Sequence, residues 1–238
     1  MSACVAQGFE YAVDVLEGRI GAPKWVRLNA ERFFRDMSGE RWRLDEELAE
    51  GYLEAIQAFK HYKGPKTGEH IHLEPWQSFV LMQLFGFVDP KTGLRRYREA
   101  FIAVPRGNGK TTILAAVGLV LAFIEGEGGA EVYSAAVTRD QARICFDDAL
   151  MMAKTASPRD PKSGRYEPGG FAPRFGVELL QHQLRSETGA IFKPLSADAK
   201  SLDGLNVHGG ILDELASHRT SAVYDAIKTG AAKRAQPL

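Results

Sequence analysis

The stretch Val104-Pro105-Arg106-Gly107-Asn108-Gly109-Lys110-Thr111-Thr112 decides the fold. A short apolar run at 101–104 leads into it, and a long apolar-rich segment follows from Ile113. That is the strand–loop–helix context of a phosphate-binding loop. Between Pro105 and Thr112, the backbone N–H groups of Gly107, Asn108 and Gly109 are suited to close around anionic oxygens. The helix that follows aims its positive N-terminus at the same place. Lys110 is placed to meet the β- and γ-phosphates, and the Thr111 hydroxyl to sit on Mg²⁺. The usual pattern opens with glycine; here that position is Val104, and Arg106 lies inside the loop. Taken alone, Gly-Asn-Gly-Lys-Thr-Thr also reads as a glycine turn before a helix.

A partner motif stands roughly 100 residues further on, a spacing usual for such folds. Val207-His208-Gly209-Gly210-Ile211-Leu212 runs into Asp213-Glu214. Two adjacent carboxylates at the end of an apolar strand divide their labour: Asp213 serves the metal, and Glu214 polarises the water that attacks the γ-phosphate. Strand neighbours point to opposite faces. The two acids therefore address different targets only if the strand is ending there, and Ser217 and His218 suggest that it is. An acidic pair opening a helix over 214–227 is the competing reading.

Composition places these motifs in an ordinary globular setting. The 238 residues suit one large domain with a small appendage, at 45% hydrophobic and 25% charged content. Thirty basic and thirty acidic residues balance to zero, so any contact with nucleic acid must be local. Cys4 and Cys145 give neither a disulfide framework nor metal spacing, and fit a reducing compartment. The apolar stretch 113–124 is too short to cross a bilayer, and the first residues lack the layout of a secretion signal. The expectation is a cytoplasmic protein without membrane contact.

Before the phosphate loop, the chain reads as helical from about 8 to 63, with a break at 18–23. Asn29 is a candidate cap for a second helix, and a third runs from Leu44 to about His61. The turn-rich stretch 63–68 follows; its lysines, with Lys60, read as a solvated charged loop or as phosphate contacts. Leu73-Glu74-Pro75-Trp76-Gln77 opens another apolar helix, with Pro75 in its first turn. The Gln77 amide beside Trp76 suits adenine, accepting from N6 and donating to N7. By pattern alone it reads rather as a polar helix residue next to a core tryptophan. After the loop, 131–137 reads as a strand, and Thr138-Arg139-Asp140-Gln141 as a capping box opening a helix. Residues 157–173 read as an irregular loop. Residues 177–184 and 190–195 read as a β-hairpin, and 201–205 as the loop feeding the acidic strand.

Assembled, these residues resemble the ATPase region of tailed-bacteriophage terminase large subunits. The likeness covers nearly the whole chain: Leu73–Gln77, the arginine-bearing loop 106–112, and Ala136-Val137-Thr138-Arg139-Asp140-Gln141-Ala142. It continues through Lys193-Pro194-Leu195-Ser196, Leu202-Asp203-Gly204-Leu205 and Ile211-Leu212-Asp213-Glu214. The resemblance implies an α/β P-loop ATPase of the additional-strand class: a mostly parallel sheet flanked by helices, a helical subdomain over 1–70, a core over 71–238 and a β-hairpin insertion. It implies ATP and Mg²⁺, with Lys110 and Thr111 on phosphate and metal, Asp213 on the metal and Glu214 activating water. It makes Gln77 an adenine contact and lets Arg106 touch the γ-phosphate in cis. Arg139 and Arg143 become candidates for the arginine a neighbouring subunit supplies, Arg139 otherwise being an exposed helix-start residue. The implied partners are double-stranded DNA, a portal protein, the terminase small subunit and further copies in a ring, inside the bacterial host cell.

Members of this family continue into a strand carrying a coupling motif and then a nuclease domain. The chain stops at Arg234-Ala235-Gln236-Pro237-Leu238, where that strand is due, so the expectation is a truncated frame or split gene without DNA cleavage. Two other readings remain. One is a helicase-like ATPase, which needs further motifs and a second lobe. The other is a nucleotide-binding remnant that does not turn over.

Overall fold

The computed structural model describes residues 3–161, 163–195 and 204–238. Ser196, Leu202 and Asp203 of the quoted segments lie outside the described residues, as does the Arg139 side chain. The chain divides into two compact units, Met1–Ala58 with His72–Phe101, and Phe59–Ile71 with Ile102–Leu238. No helix among the described residues is long and apolar enough to cross a membrane.

The first unit is helical: α1 (Ala3–Leu16), α2 (Lys24–Met37), α3 (Glu46–Gln57) and α4 (Pro75–Gly86), with a small antiparallel pair β1 (Arg43–Leu44) and β2 (Phe87–Val88). Helix α4 is apolar all round because α1 and α3 both pack on it. Phe33 is fully buried among Phe9, Phe34, Phe79 and Phe87, in edge-on contacts of 5.1–6.0 Å. The buried Glu50 of α3 accepts from the Cys4 and Val5 amides, satisfying open donors in the first turn of α1.

Two helix limits differ from the sequence expectation. Helix α2 begins at Lys24, because Pro23 holds the extended conformation of a cap residue and its carbonyl takes the Val26 and Arg27 amides. Asn29 is therefore inside the helix, where its Oδ1 accepts from Arg32. Helix α3 ends at Gln57 rather than near His61, since Phe59 already belongs to the second unit.

In the second unit, α5 (Lys110–Leu119) runs on through a π-helical turn, Val120–Ile124. Then come β3 (Glu131–Ala135), α6 (Arg139–Thr155), α7 (Phe171–Phe175), β4 (Val177–Leu179), β5 (Leu184–Ser186), β6 (Ile191–Pro194), β7 (Val207–Leu212) and α8 (Ala222–Ala231). Thr138 caps α6, accepting from the Gln141 amide, but the expected capping box is only half made, because Gln141 Oε1 accepts from the Thr138 hydroxyl instead of its backbone N–H. The sheet order is β4-β5-β6-β3-β7. Strand β3 alternates: Val132 and Ser134 lie towards α5 and α6, while Tyr133 and Ala135 join Val223 and Ile227 of α8. Gly118 lets α5 close on the sheet, for a Cβ there would stand 2.6 Å from the Phe192 ring.

The sheet is mixed, not mostly parallel. Strand β3 pairs parallel to β6 and β7, but β4, β5 and β6 form an antiparallel meander. The expected single hairpin over 177–195 is thus three strands. The Leu180 amide closes a turn onto the Gln183 carbonyl, folding the first predicted strand back on itself. Residues 101–104 form no strand among the described residues. At His208–Gly210 the edge of β7 away from β3 is taken by the end of the chain: Leu238 donates to the His208 carbonyl and accepts from the Gly210 amide. These two bonds have the slant of a parallel pairing. Arg234 holds that segment in place, donating to the carbonyls of Asn206, Gly128 and Gly129 and pairing with Glu127.

Candidate functional site

The phosphate loop and the acidic strand end meet within the second unit. Gly107 and Gly109 both take positive φ, 85° and 69°, which a side chain would strain, and Gly109 then hands the chain to α5 with Lys110 as its first residue. Asn108 braces the turn, its amide donating to the Pro105 carbonyl. Arg106, Gly107 and Asn108 are exposed, while Lys110, Thr111 and Thr112 are partly buried at the start of the helix. Residues 110–112 therefore present the unpaired N–H groups of a helix start beside a loop open to solvent.

Strand β7 stops at Leu212, one residue before the acids. The Asp213 amide donates to the Ala135 carbonyl at the end of β3, and Asp213 Oδ1 accepts from the Glu214 amide at 2.8 Å. Glu214 is the one non-glycine residue with positive φ among the described residues, at 51°, and a short 3₁₀ turn, Leu215–Ser217, follows. A side-chain-bearing residue in this region costs about 1–2 kcal/mol, strain of the sort found where a site fixes a side chain. The strand thus ends just before the two acids, as Ser217 and His218 suggested in the sequence.

Lys110 Nζ lies 3.7 Å from Asp213 Oδ1, with 31% and 21% of the two side chains exposed. The ammonium and the metal-binding candidate share one solvent-reaching corner, at the C-terminal end of a β-strand and the N-terminal end of a helix. Chemically, this is a place for a polyanion with a hard cation.

A glycine loop opening a helix beside an acid-bearing strand end is an arrangement that P-loop sites use. The terminase large subunit ATPase domain model matches residues 75–238. The chain belongs to this family. The crystal structure of the HK97 bacteriophage large terminase is similar, at 26% identity and a TM-score of 0.58, over 78% of this chain and 36% of that one. The chain thus spans just over a third of that terminase's length. No curated protein matches the sequence.

The other candidate residues of this terminase ATPase domain stand on α4 and α6. Gln77 and Trp76 open α4 in the first unit. Gln77 is buried and its Oε1 accepts from the Glu74 amide, making the capping box of that helix. Arg143 on α6 reaches Asp147 at 3.4 Å and His182 Nδ1 at 3.3 Å. Lys63 of the turn-rich segment is bound to Asp148 at 2.7 Å. The sequence reading passed over His208, which is buried in β7 with its Nε2 2.7 Å from Glu125. Only the rarity of a histidine inside an apolar strand signalled it.

Proposed function

We propose that this chain is the motor region of a phage terminase large subunit, hydrolysing ATP in a Mg²⁺-dependent reaction that drives viral DNA into a procapsid. The observation that carries the reading is the approach of Lys110 to Asp213, with Glu214 turned out beside them. Loop amides 107–112 cradle the phosphates, and Lys110 holds the β- and γ-oxygens. The Thr111 hydroxyl and the Asp213 carboxylate would hold Mg²⁺. An oxygen pair suits that ion, which is kept by one or two carboxylates, water and substrate phosphates rather than by a protein cage. When bound, the ion neutralises charge on the β- and γ-phosphates.

Glu214 orients the attacking water and receives its proton. Arg106, exposed on the loop, contacts the γ-phosphate in cis. Gln77, with Trp76 beside it in the chain, is the residue we assign to adenine, because a planar amide can accept from N6 and donate to N7. Of the arginines proposed to act in a neighbouring subunit, Arg143 would first have to leave Asp147 and His182; Arg139 is the other candidate. The proposed partners are double-stranded DNA, the portal, the small subunit and further copies in a ring, in the host cytoplasm.

Titration with a fluorescent ATP analogue tests the site. The parent chain should bind it and Lys110→Ala should not. Equal binding by both would remove Lys110 from the phosphate site.

A further inference from the structure

The helical unit carries a charged surface that the chain does not neutralise. Helix α2 buries Ala30 and Phe33. At about 100° per residue, Lys24, Arg32 and Arg35 fall on the arc opposite them and Arg27 on its flank, and all four are exposed. Glu31 is the one exposed acid among them, and Asp36 on the other flank is bound to Arg96. Among the described residues none of the four cations has a carboxylate partner. Lys24 lies over the Trp25 ring, and Arg32 donates to Asn29 Oδ1 and lies over Tyr97. Trp25, 75% exposed, and Leu28, 40% exposed, complete the face. A cationic stripe interleaved with an aromatic ring, on a chain with no net charge, is a local electrostatic footprint.

We infer that this face of α2 docks the sugar–phosphate backbone of double-stranded DNA. The inference rests on the motor reading above, which supplies a duplex as the track. Lys24 and Arg35 are about 16 Å apart along the axis at ~1.5 Å per residue. The major groove is ~12 Å wide, so cations at the two ends of the helix reach phosphates on both walls. Trp25 offers an apolar face to deoxyribose. Such binding is independent of sequence, as a track contact must be.

The test is fluorescence anisotropy of a labelled duplex with the full chain, over salt from about 50 to 200 mM. Each lost phosphate contact lowers the slope of log K against log salt by about 0.9. The Lys24→Gln/Arg27→Gln/Arg35→Gln variant should therefore lose about 2.7 from that slope and bind at least about tenfold more weakly near 100 mM salt. Lys91→Gln/Lys154→Gln, equally exposed, should change affinity less than about twofold. ATP-analogue binding and the melting temperature should stay at parent values, which separates docking from folding. An unchanged slope in the triple variant overturns the inference while leaving the motor reading intact. Loss of self-association at unchanged DNA affinity also overturns it, by assigning the face to a second copy of the chain through the exposed acids of α3, Glu46, Glu47 and Glu54. A parent chain that binds no duplex overturns it as well; the ATPase reading is then judged by hydrolysis alone.

Discussion

His208 Nε2 and Glu125 Oε2 lie 2.7 Å apart, with 0% and 3% of their side chains exposed. His208 is the residue skipped where the β3–β7 register passes from Val207 to Gly209, so a β-bulge frees it from the pairing. Glu125 directly follows the π turn that prolongs α5. One buried contact therefore ties the far end of the element that begins at Lys110 to the strand that ends before Asp213. His208→Ala, which leaves the Glu125 carboxylate buried without this partner, should lower unfolding stability by about 3 kcal/mol. His208→Gln, which keeps a donor, should recover part of that. Urea unfolding of the three proteins checks it, and a His208→Ala midpoint equal to the parent's would show that the pair holds nothing.

Asp148, buried in α6, accepts from Tyr62 at 2.5 Å and Lys63 at 2.7 Å, fastening the segment 59–71 within the second unit. Phe59 against Phe171 adds an edge contact at 5.5 Å. Asp148→Ala should release this segment locally, because Lys63 is already half in water and rehydrates cheaply. Limited trypsin digestion should then cut first at Lys60, Lys63 or Lys66, several times faster than in the parent. Cleavage at the parent rate would show that the apolar contacts suffice.

Burial, and after it the charges of Asp148 and Asp213, push the Cys145 thiol far above the usual thiol range. The folded chain keeps this proton when the unfolded chain gives it up. The contribution is therefore complete below about pH 9 and drains away above it, by about 1.4 kcal/mol per pH unit. Between about pH 8 and pH 10 the parent should lose more stability than Cys145→Ala, by about that amount. Parallel pH profiles for the two proteins would contradict the shift.

What the sequence disclosed was local. Gly107 and Gly109 sit at positive φ, Pro75 opens α4, Thr138 caps α6, and the acids at 213 and 214 follow a strand end, because each depends on a few neighbouring residues. What it hid was long-range. Nothing near Phe59 says that it belongs with α6 and α7 rather than with the helix before it. The antiparallel meander arises from a turn at 180–183 that carries neither glycine nor proline. The bulge at His208 is a matter of register against β3, invisible in β7 alone. Pro23 displaced Asn29 as the start of α2 because a fixed φ at the cap outweighed a side chain that found Arg32 instead.

If Lys110, Asp213 and Glu214 form one ATP-hydrolysing site, Glu214→Gln should separate binding from turnover, and steady-state phosphate release reads this out. This variant should bind the ATP analogue as the parent does but release phosphate at least about a hundredfold more slowly, the contribution of a positioned general base. Turnover at the parent rate, with binding intact, would contradict it.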